Sequence, residues 1–129
     1  MQRFIAATDL SDRGDRAVHR AIQLAKDAGA KLTVITVVDD ALPLPLARQM
    51  SAASEAELTR IVASFAEAAG ADVDVKVILG DPALSVAEYA TTETADLLVL
   101  GRHRQRPVAD LFLQTTAERI VALVSAPVL

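Results

Sequence analysis

The chain has 129 residues, of which 52% are hydrophobic but only 3% aromatic, and it carries a formal net charge of −4. This length suits one domain, over residues 1–129, whose core must be built from Val, Leu, Ile and Ala, the composition of buried parallel strands and alanine-rich helices. The acidic balance gives no general attraction to nucleic acid or anionic membranes, and the absence of cysteine excludes disulfides and thiolate chemistry.

The first half of the sequence alternates strand and helix patterns. The run RFIAATDL predicts a first strand that ends at Thr8 and Asp9, and the next residues place alanines at helical spacing from Ala17 onward until Gly29. The β-branched run KLTVITVVDD predicts a second strand, and a second helical pattern begins at Ser51 and stops at Gly70. No secretory pattern precedes the first strand and no apolar run reaches about 18 residues, so we expect a cytoplasmic protein with no membrane partner.

The segment ALPLPLARQM lies between the second strand and the second helical pattern. Pro43 and Pro45 argue against a regular helix start, so we predict an apolar loop over residues 41–47. Such a loop either covers the crevice or packs on the core, or it remains exposed as a docking patch for a regulatory protein partner. The sequence does not choose between these alternatives.

The second half repeats the alternation. VDVKVIL predicts a third strand, Gly80 a tight turn, and Asp81 with Pro82 the start of a third helix that runs to Tyr89. ADLLVLG predicts a fourth strand ending at Gly101, followed by a fourth helical pattern and a short fifth strand, APVL. Alternation of this kind predicts an α/β fold: an open, twisted parallel sheet with helices on both faces.

Ligands of open α/β sheets bind beyond the carboxyl ends of the strands, where the strand order reverses. In this sequence those ends are residues 8–11, 38–40, 79–81 and 101–106. We therefore expect function to lie in these four loops.

The sequence resembles the universal stress protein family over its whole length. The resemblance is carried by FIAATDLSDRGDRAVHRAIQLAKDAGAKLTVITVVDD, by GDPALSVAEYATTETADLLVLG and by TTAERIVALVSAPVL. It implies a Rossmann-like, adenine nucleotide alpha hydrolase-like sheet of five strands in the order 3-2-1-4-5, with Asp9 and Gly101 facing one crevice. It also implies a homodimer joined through the C-terminal strands, and a nucleotide site that includes Val38 and Gly80.

ATP-binding members of the family carry a glycine, two residues, a second glycine, nine residues, a third glycine and then serine or threonine. Glycines let backbone N–H groups approach phosphate closely. Laid onto this sequence, the pattern has glycine only at Gly101, with Arg104 and Gln114 at the other two glycine positions and Thr115 as the hydroxyl residue. The resemblance thus implies a degenerate cradle and no tightly bound ATP.

A contrary hypothesis is that this loop still binds phosphate. Guanidinium groups bind phosphate bidentately, so Arg102, Arg104 and Arg106 could replace the backbone donors and hold ATP, AMP or another phosphorylated ligand. A solvated basic loop explains the same three arginines.

Other polar residues give weaker signals. His19 is expected on an exposed helix face, and His103 lies in the arginine-rich loop. Asp9, Asp39 and Asp40 could converge on Mg²⁺, but capping and solvation explain Asp39 and Asp40 more simply. Residues 9–12 could equally form the cap of the first helix, with Asp9 as a structural residue rather than a contact of the adenosine. The Walker, Rossmann GxGxxG and GxSxG patterns are absent. We therefore predict a non-enzymatic stress-response module without a required cofactor; the alternatives are a nucleotide-binding switch and a weak nucleotide hydrolase.

Overall fold

The computed structural model describes residues 2–101 and 127–129, with backbone alone for residues 12, 13 and 66–69. Four strands and three helices alternate along the first of these ranges. In chain order they are β1 (Arg3–Ala7), α1 (Asp12–Ala28), β2 (Lys31–Asp39), α2 (Leu44–Ala69), β3 (Val73–Gly80), α3 (Pro82–Thr92) and β4 (Leu97–Leu100).

The sheet is parallel and has the predicted order. The described strands are arranged β3-β2-β1-β4. Residues 127–129 lie on the far side of β4, where Val128 forms a parallel bridge with Leu98 and the Leu129 N–H donates to the Leu98 carbonyl at 2.8 Å. The order 3-2-1-4-5 is therefore confirmed, with residues 127–129 in the fifth position.

The sheet separates two hydrophobic layers. On one face α1 and α2 cover a cluster that includes Val18, Ile22 and Leu32, and on the other face α3 covers a cluster around Ile5 and Ile35. Because β1 and β2 are covered on both faces, their sequences read as nearly continuous apolar runs.

The start of α2 differs from the sequence prediction. The predicted loop over residues 41–47 is wrong, because α2 begins at Leu44 and the Ala47 N–H already donates to the Pro43 carbonyl at 2.9 Å. Pro45 falls in the first turn, where a backbone N–H has no helical partner to lose. Leu44 and Leu46 are 54% and 43% exposed, so these leucines lie mostly in solvent rather than in the core.

The other helix ends follow the sequence closely. The α1 helix ends at Ala28 and is capped by Gly29, whose φ of 63° is left-handed. Asp81 caps α3 and Pro82 occupies its first turn, as predicted. Gly80 is the last residue of β3, and Asp81 alone separates it from α3, so the chain turns sharply there without a left-handed φ at Gly80.

No helix within residues 2–101 is both long and apolar enough to span a bilayer.

Candidate functional site

The strand order reverses between β1 and β4. Both strands end at the same level, since Ala7 is paired with Leu100, so Thr8 and Gly101 leave the sheet side by side. β2 lies on one side of β1 and β4 on the other, and ligands of open α/β sheets bind in the crevice beyond the carboxyl ends of two strands related in this way. The structure thus brings the Asp9 loop and Gly101 to the same end of the sheet.

The loop from Thr8 to α1 is fixed by side-chain hydrogen bonds. Thr8 is buried, its N–H donates to the Ile35 carbonyl, and its Oγ1 accepts the Leu10 N–H, each at 3.0 Å. The Asp9 Oδ1 accepts the Ser11 N–H at 3.0 Å and a short hydrogen bond from the Ser11 hydroxyl. Leu10 adopts a left-handed φ of 65° between them. Asp9 is therefore an exposed carboxylate held in place by the helix entry.

Ser11 completes this helix entry. It is the N-cap of α1, and its Oγ accepts the Gly14 N–H at 3.2 Å. The capping role considered for residues 9–12 is thus shared between Ser11, which bonds the helix, and Asp9, which bonds Ser11. Asp9 remains a candidate ligand contact, because it is exposed where β1 ends, beside β4.

Gly14 is a site residue that the sequence analysis missed. A Cβ on Gly14 would overlap the Thr8 Oγ1 and lie 2.9 Å from the Asp9 Oδ1. The first turn of α1 therefore needs glycine here so that the Thr8–Asp9 segment can pack against it. A single glycine inside a helical pattern is the only sequence signal that could have found it.

One wall of the crevice is the extension of β2. Ala7 of β1 pairs with Ile35, but β2 continues four residues further, from Thr36 to Asp39, beside β3. At about 3.3 Å per residue this extension rises about 13 Å above the end of β1.

The phase of this extension decides which residue faces the crevice. Residues of a parallel strand alternate the side to which their peptide groups point. The Ile35 carbonyl points to β1, whereas the Leu32 N–H donates to Asp72 beside β3. By this alternation the peptide groups of Val38 face β3 and those of Val37 face the crevice. The Val38 side chain is also buried, at 5% exposure, so Val37 is the residue that can offer backbone hydrogen bonds to a ligand.

Gly80 lies further from the reversal point. It pairs with Asp39, two strands away from β1, and a Cβ on it would overlap the Ser85 hydroxyl of α3. α3 therefore approaches the end of β3 closely, and a side chain at Gly80 would have to displace the Ser85 hydroxyl.

The remaining predicted site residues lie outside the described residues. They are Arg102, Arg104 and Thr115, together with Gln114, Arg106 and His103. That the loop after Gly101 is a degenerate phosphate cradle therefore stays a prediction.

The acidic residues do not form a metal centre within the described ranges, where no three His, Cys, Asp or Glu side chains are grouped for an ion. Asp39 caps its own turn, since its Oδ1 accepts the Ala41 N–H at 2.9 Å. His19 is exposed, as predicted, and its ring stacks on Phe65 with centroids 4.6 Å apart.

The fold and crevice match a known family. A sequence model of the universal stress protein family matches residues 1–129. The chain belongs to this family.

Individual relatives agree with that assignment. A universal stress protein of Methanocaldococcus jannaschii is 29% identical over 99% of this chain and 80% of its own length. A Thermus aquaticus universal stress protein is 32% identical over 98% of this chain and 95% of its own. Among solved structures, a universal stress protein in complex with cAMP is similar with a TM-score of 0.79 and 31% identity, covering 99% of this chain and 94% of that one.

Proposed function

We propose that this universal stress protein is a cytoplasmic, non-enzymatic regulatory module whose crevice does not bind ATP tightly. The observation that carries the proposal is the pair Arg104 and Gln114 at positions where ATP-binding relatives have glycine. A side chain at either position takes space and backbone freedom that a triphosphate needs.

A second candidate function is the binding of an adenine mononucleotide. One relative, 31% identical, was solved in complex with cAMP. A mononucleotide does not need the full triphosphate cradle, and the features near the strand ends that could hold a nucleoside are present here. They are the ordered Asp9 loop, the Val37 peptide groups and Gly101 at the reversal point. Arg102 and its neighbours would then contact the single phosphate.

Titration calorimetry with Mg-ATP, AMP and cAMP tests both candidates. For the main proposal we expect no ATP binding near 1 μM, which would correspond to about −8.2 kcal/mol. Native mass spectrometry of the purified protein provides an independent measurement, since a nucleotide that co-purifies with it would support the switch hypothesis. Tight ATP binding would contradict the proposal, while AMP or cAMP binding tighter than ATP would support the mononucleotide alternative.

Variants at Asp9 separate ligand binding from helix capping. Asp9→Asn retains an oxygen that accepts the Ser11 N–H but removes the charge, whereas Asp9→Ala removes both. If the carboxylate contacts the ligand, both variants lose mononucleotide affinity while only Asp9→Ala is destabilised. Equal affinity in wild type and Asp9→Asn would limit Asp9 to its capping role.

A further inference from the structure

The outer edge of β3 presents unpaired peptide groups. Within the part of the chain that the structure describes, β3 is paired only with β2. The Leu32 N–H donates to the Asp72 carbonyl at 3.2 Å, which sets the phase of the ladder. Because the direction alternates along the strand, the peptide groups of Val73, Val75 and Val77 point away from the sheet.

The side chains of this edge have a self-complementary order. Residues 73–77 read Val-Asp-Val-Lys-Val. If two copies of this stretch run antiparallel with Val75 opposite Val75, each Asp74 lies opposite a Lys76 and valines lie opposite valines. A shift by one residue would place the charged residues opposite valines, and a shift by two would place Asp74 opposite Asp74 or Lys76 opposite Lys76, so the sequence favours this register.

The hydrogen-bond phase agrees with the same register. Val75 has outward peptide groups, so two copies of Val75 can exchange both N–H···O bonds as a hydrogen-bonded pair. Asp74 and Lys76 then form the intervening non-hydrogen-bonded pairs, in which the side chains approach more closely, with Cα atoms about 4.5 Å apart. The pairing of charges and the phase of the hydrogen bonds are independent requirements, and this register meets both.

The surroundings leave room for an added strand. A groove of about 600 Å³ runs along this edge between Val62 and Ala63 of α2 and Tyr89 of α3. The Lys76 ammonium lies 5.0 Å from the centroid of the Tyr89 ring. The Asp74 carboxylate lies 3.2 Å from the Lys31 ammonium of β2, and its side chain is still 60% exposed. Both charges are therefore held on one face of β3 and remain accessible.

We propose that the β3 edge is a self-association surface, on which β3 of a second copy pairs antiparallel about a two-fold axis through Val75. Charged side chains on an edge strand commonly prevent such pairing. Here the two signs alternate so that they attract in this register. The proposal is independent of the nucleotide site and concerns the edge opposite to the fifth strand.

A charge-swap series tests the pairing. Analytical ultracentrifugation from about 1 to 200 μM gives the dissociation constant for wild type, Lys76→Glu, Asp74→Lys and the double variant. Each single variant places like charges opposite each other at two symmetric positions, and we expect it to weaken association at least about tenfold. The double variant reverses both charges and restores the attraction, which no merely structural effect of either substitution would do.

Val75→Pro tests the backbone part of the surface. Proline removes an N–H that points outward, so the β2–β3 ladder is retained while the pairing across the axis loses its central bonds. We expect the variant to fold, as judged by circular dichroism and urea unfolding, and to lose this association. If it does not fold, the charge-swap series decides alone.

Three results would overturn the proposal. The first is a wild type that is monomeric at the highest concentration. The second is a set of charge variants that associate as tightly as wild type. The third is association that survives Val75→Pro but is abolished by Leu129→Arg. The last result would assign self-association to the fifth strand instead.

Discussion

Asp9 combines a structural role in the start of α1 with a proposed role in ligand binding. Its carboxylate accepts hydrogen bonds from Ser11, which in turn caps α1, and the same residue lies at the crevice between β1 and β4. A carboxylate placed by capping is already ordered before a ligand arrives, so less side-chain entropy is lost on binding. The hydrogen bonds to Ser11 would therefore support the proposed ligand contact.

Gly14→Ala is expected to destabilise the protein. Glycine to alanine inside a helix normally stabilises by about 0.5–1 kcal/mol. At Gly14 the new methyl group would overlap the Thr8 hydroxyl, so we expect a loss of about 1–3 kcal/mol in the free energy of unfolding, measured with urea.

Thr8→Ala is the matched partner for that measurement. It removes the overlapping hydroxyl, although it also removes the acceptor of the Leu10 N–H. In the double variant the cost of Gly14→Ala should be smaller than in wild type. Strictly additive costs would show that the overlap is not the cause.

Replacing Arg104 and Gln114 together by glycine is expected to create or strengthen ATP binding. Asp9, Gly80, Gly101 and Thr115 of the implied site are retained, so only backbone freedom and space are restored by the change. The added glycines cost about 0.5–1 kcal/mol each in ordering entropy, less than the charge-assisted bonds to phosphate contribute.

The single variant Arg104→Gly controls for the charge. With Gln114 still present we expect it to change ATP affinity little, as measured by calorimetry. Weaker binding in both variants would mean that the arginines themselves hold the phosphate.

Residue patterns identified some site residues and missed others for a physical reason. Asp9 and Gly101 could be placed because strand ends are visible as the close of an apolar run. Gly14 could not, because its requirement comes from a contact with the Thr8–Asp9 segment, which precedes the helix and folds back on it. The choice of Val37 over Val38 depends on the hydrogen-bond phase between strands, which a sequence does not show.

At the level of elements, helix starts were predictable where a cap side chain is present. Ser11 and Asp81 both cap as their residue types indicate. The predicted start of α2 is wrong because proline is disfavoured only in a helix interior and is accepted in the first turn, where Pro45 lies. The strand alternation and the order of the sheet needed only the apolar periodicity and the family resemblance.

Loss of the α3 cap should be measurable. The Asp81 Oδ2 accepts the Leu84 N–H at 2.9 Å. We expect Asp81→Ala to lower the free energy of unfolding by about 1 kcal/mol and Asp81→Asn to lower it much less, since asparagine is an equally good cap. Urea unfolding of the three proteins provides the comparison, and equal losses in both variants would point to the charge of Asp81 rather than to its capping bond.

Tyr89 on α3 is expected to make the free energy of unfolding decrease as pH rises in the alkaline range. Burial, with the nearby Glu93 carboxylate, raises the pKa of the Tyr89 hydroxyl above its ordinary value of 10.0. The folded state therefore favours the neutral phenol, so this contribution is complete below about pH 10 and is lost as pH rises through the higher folded pKa.

Tyr89→Phe is the control, because it retains the ring under Lys76 but has no group to ionise. We expect urea unfolding between about pH 8 and 11 to show a smaller alkaline loss of stability in this variant. The same loss in both proteins would assign the effect to lysines instead.

At the level of the whole molecule, the family resemblance predicts a homodimer through the fifth strands. Residues 127–129 lie at that edge of the sheet, where Leu129 is 57% exposed. We expect light scattering at tens of micromolar, roughly where a standard interface holds, to report a dimer that Leu129→Arg weakens. A monomer at this concentration would contradict the prediction.

The central position of β1 has a consequence for synthesis. It is synthesised before the other described strands, yet one of its two neighbours, β4, follows far behind: the Arg3 N–H donates to the Asp96 carboxylate, 93 residues later. At about 5–20 residues per second, the nascent chain exposes one edge of its innermost strand for about 5–20 s. During translation the strand that is most protected in the finished protein is therefore open to wrong partners, and this interval is where chaperone contact would matter most.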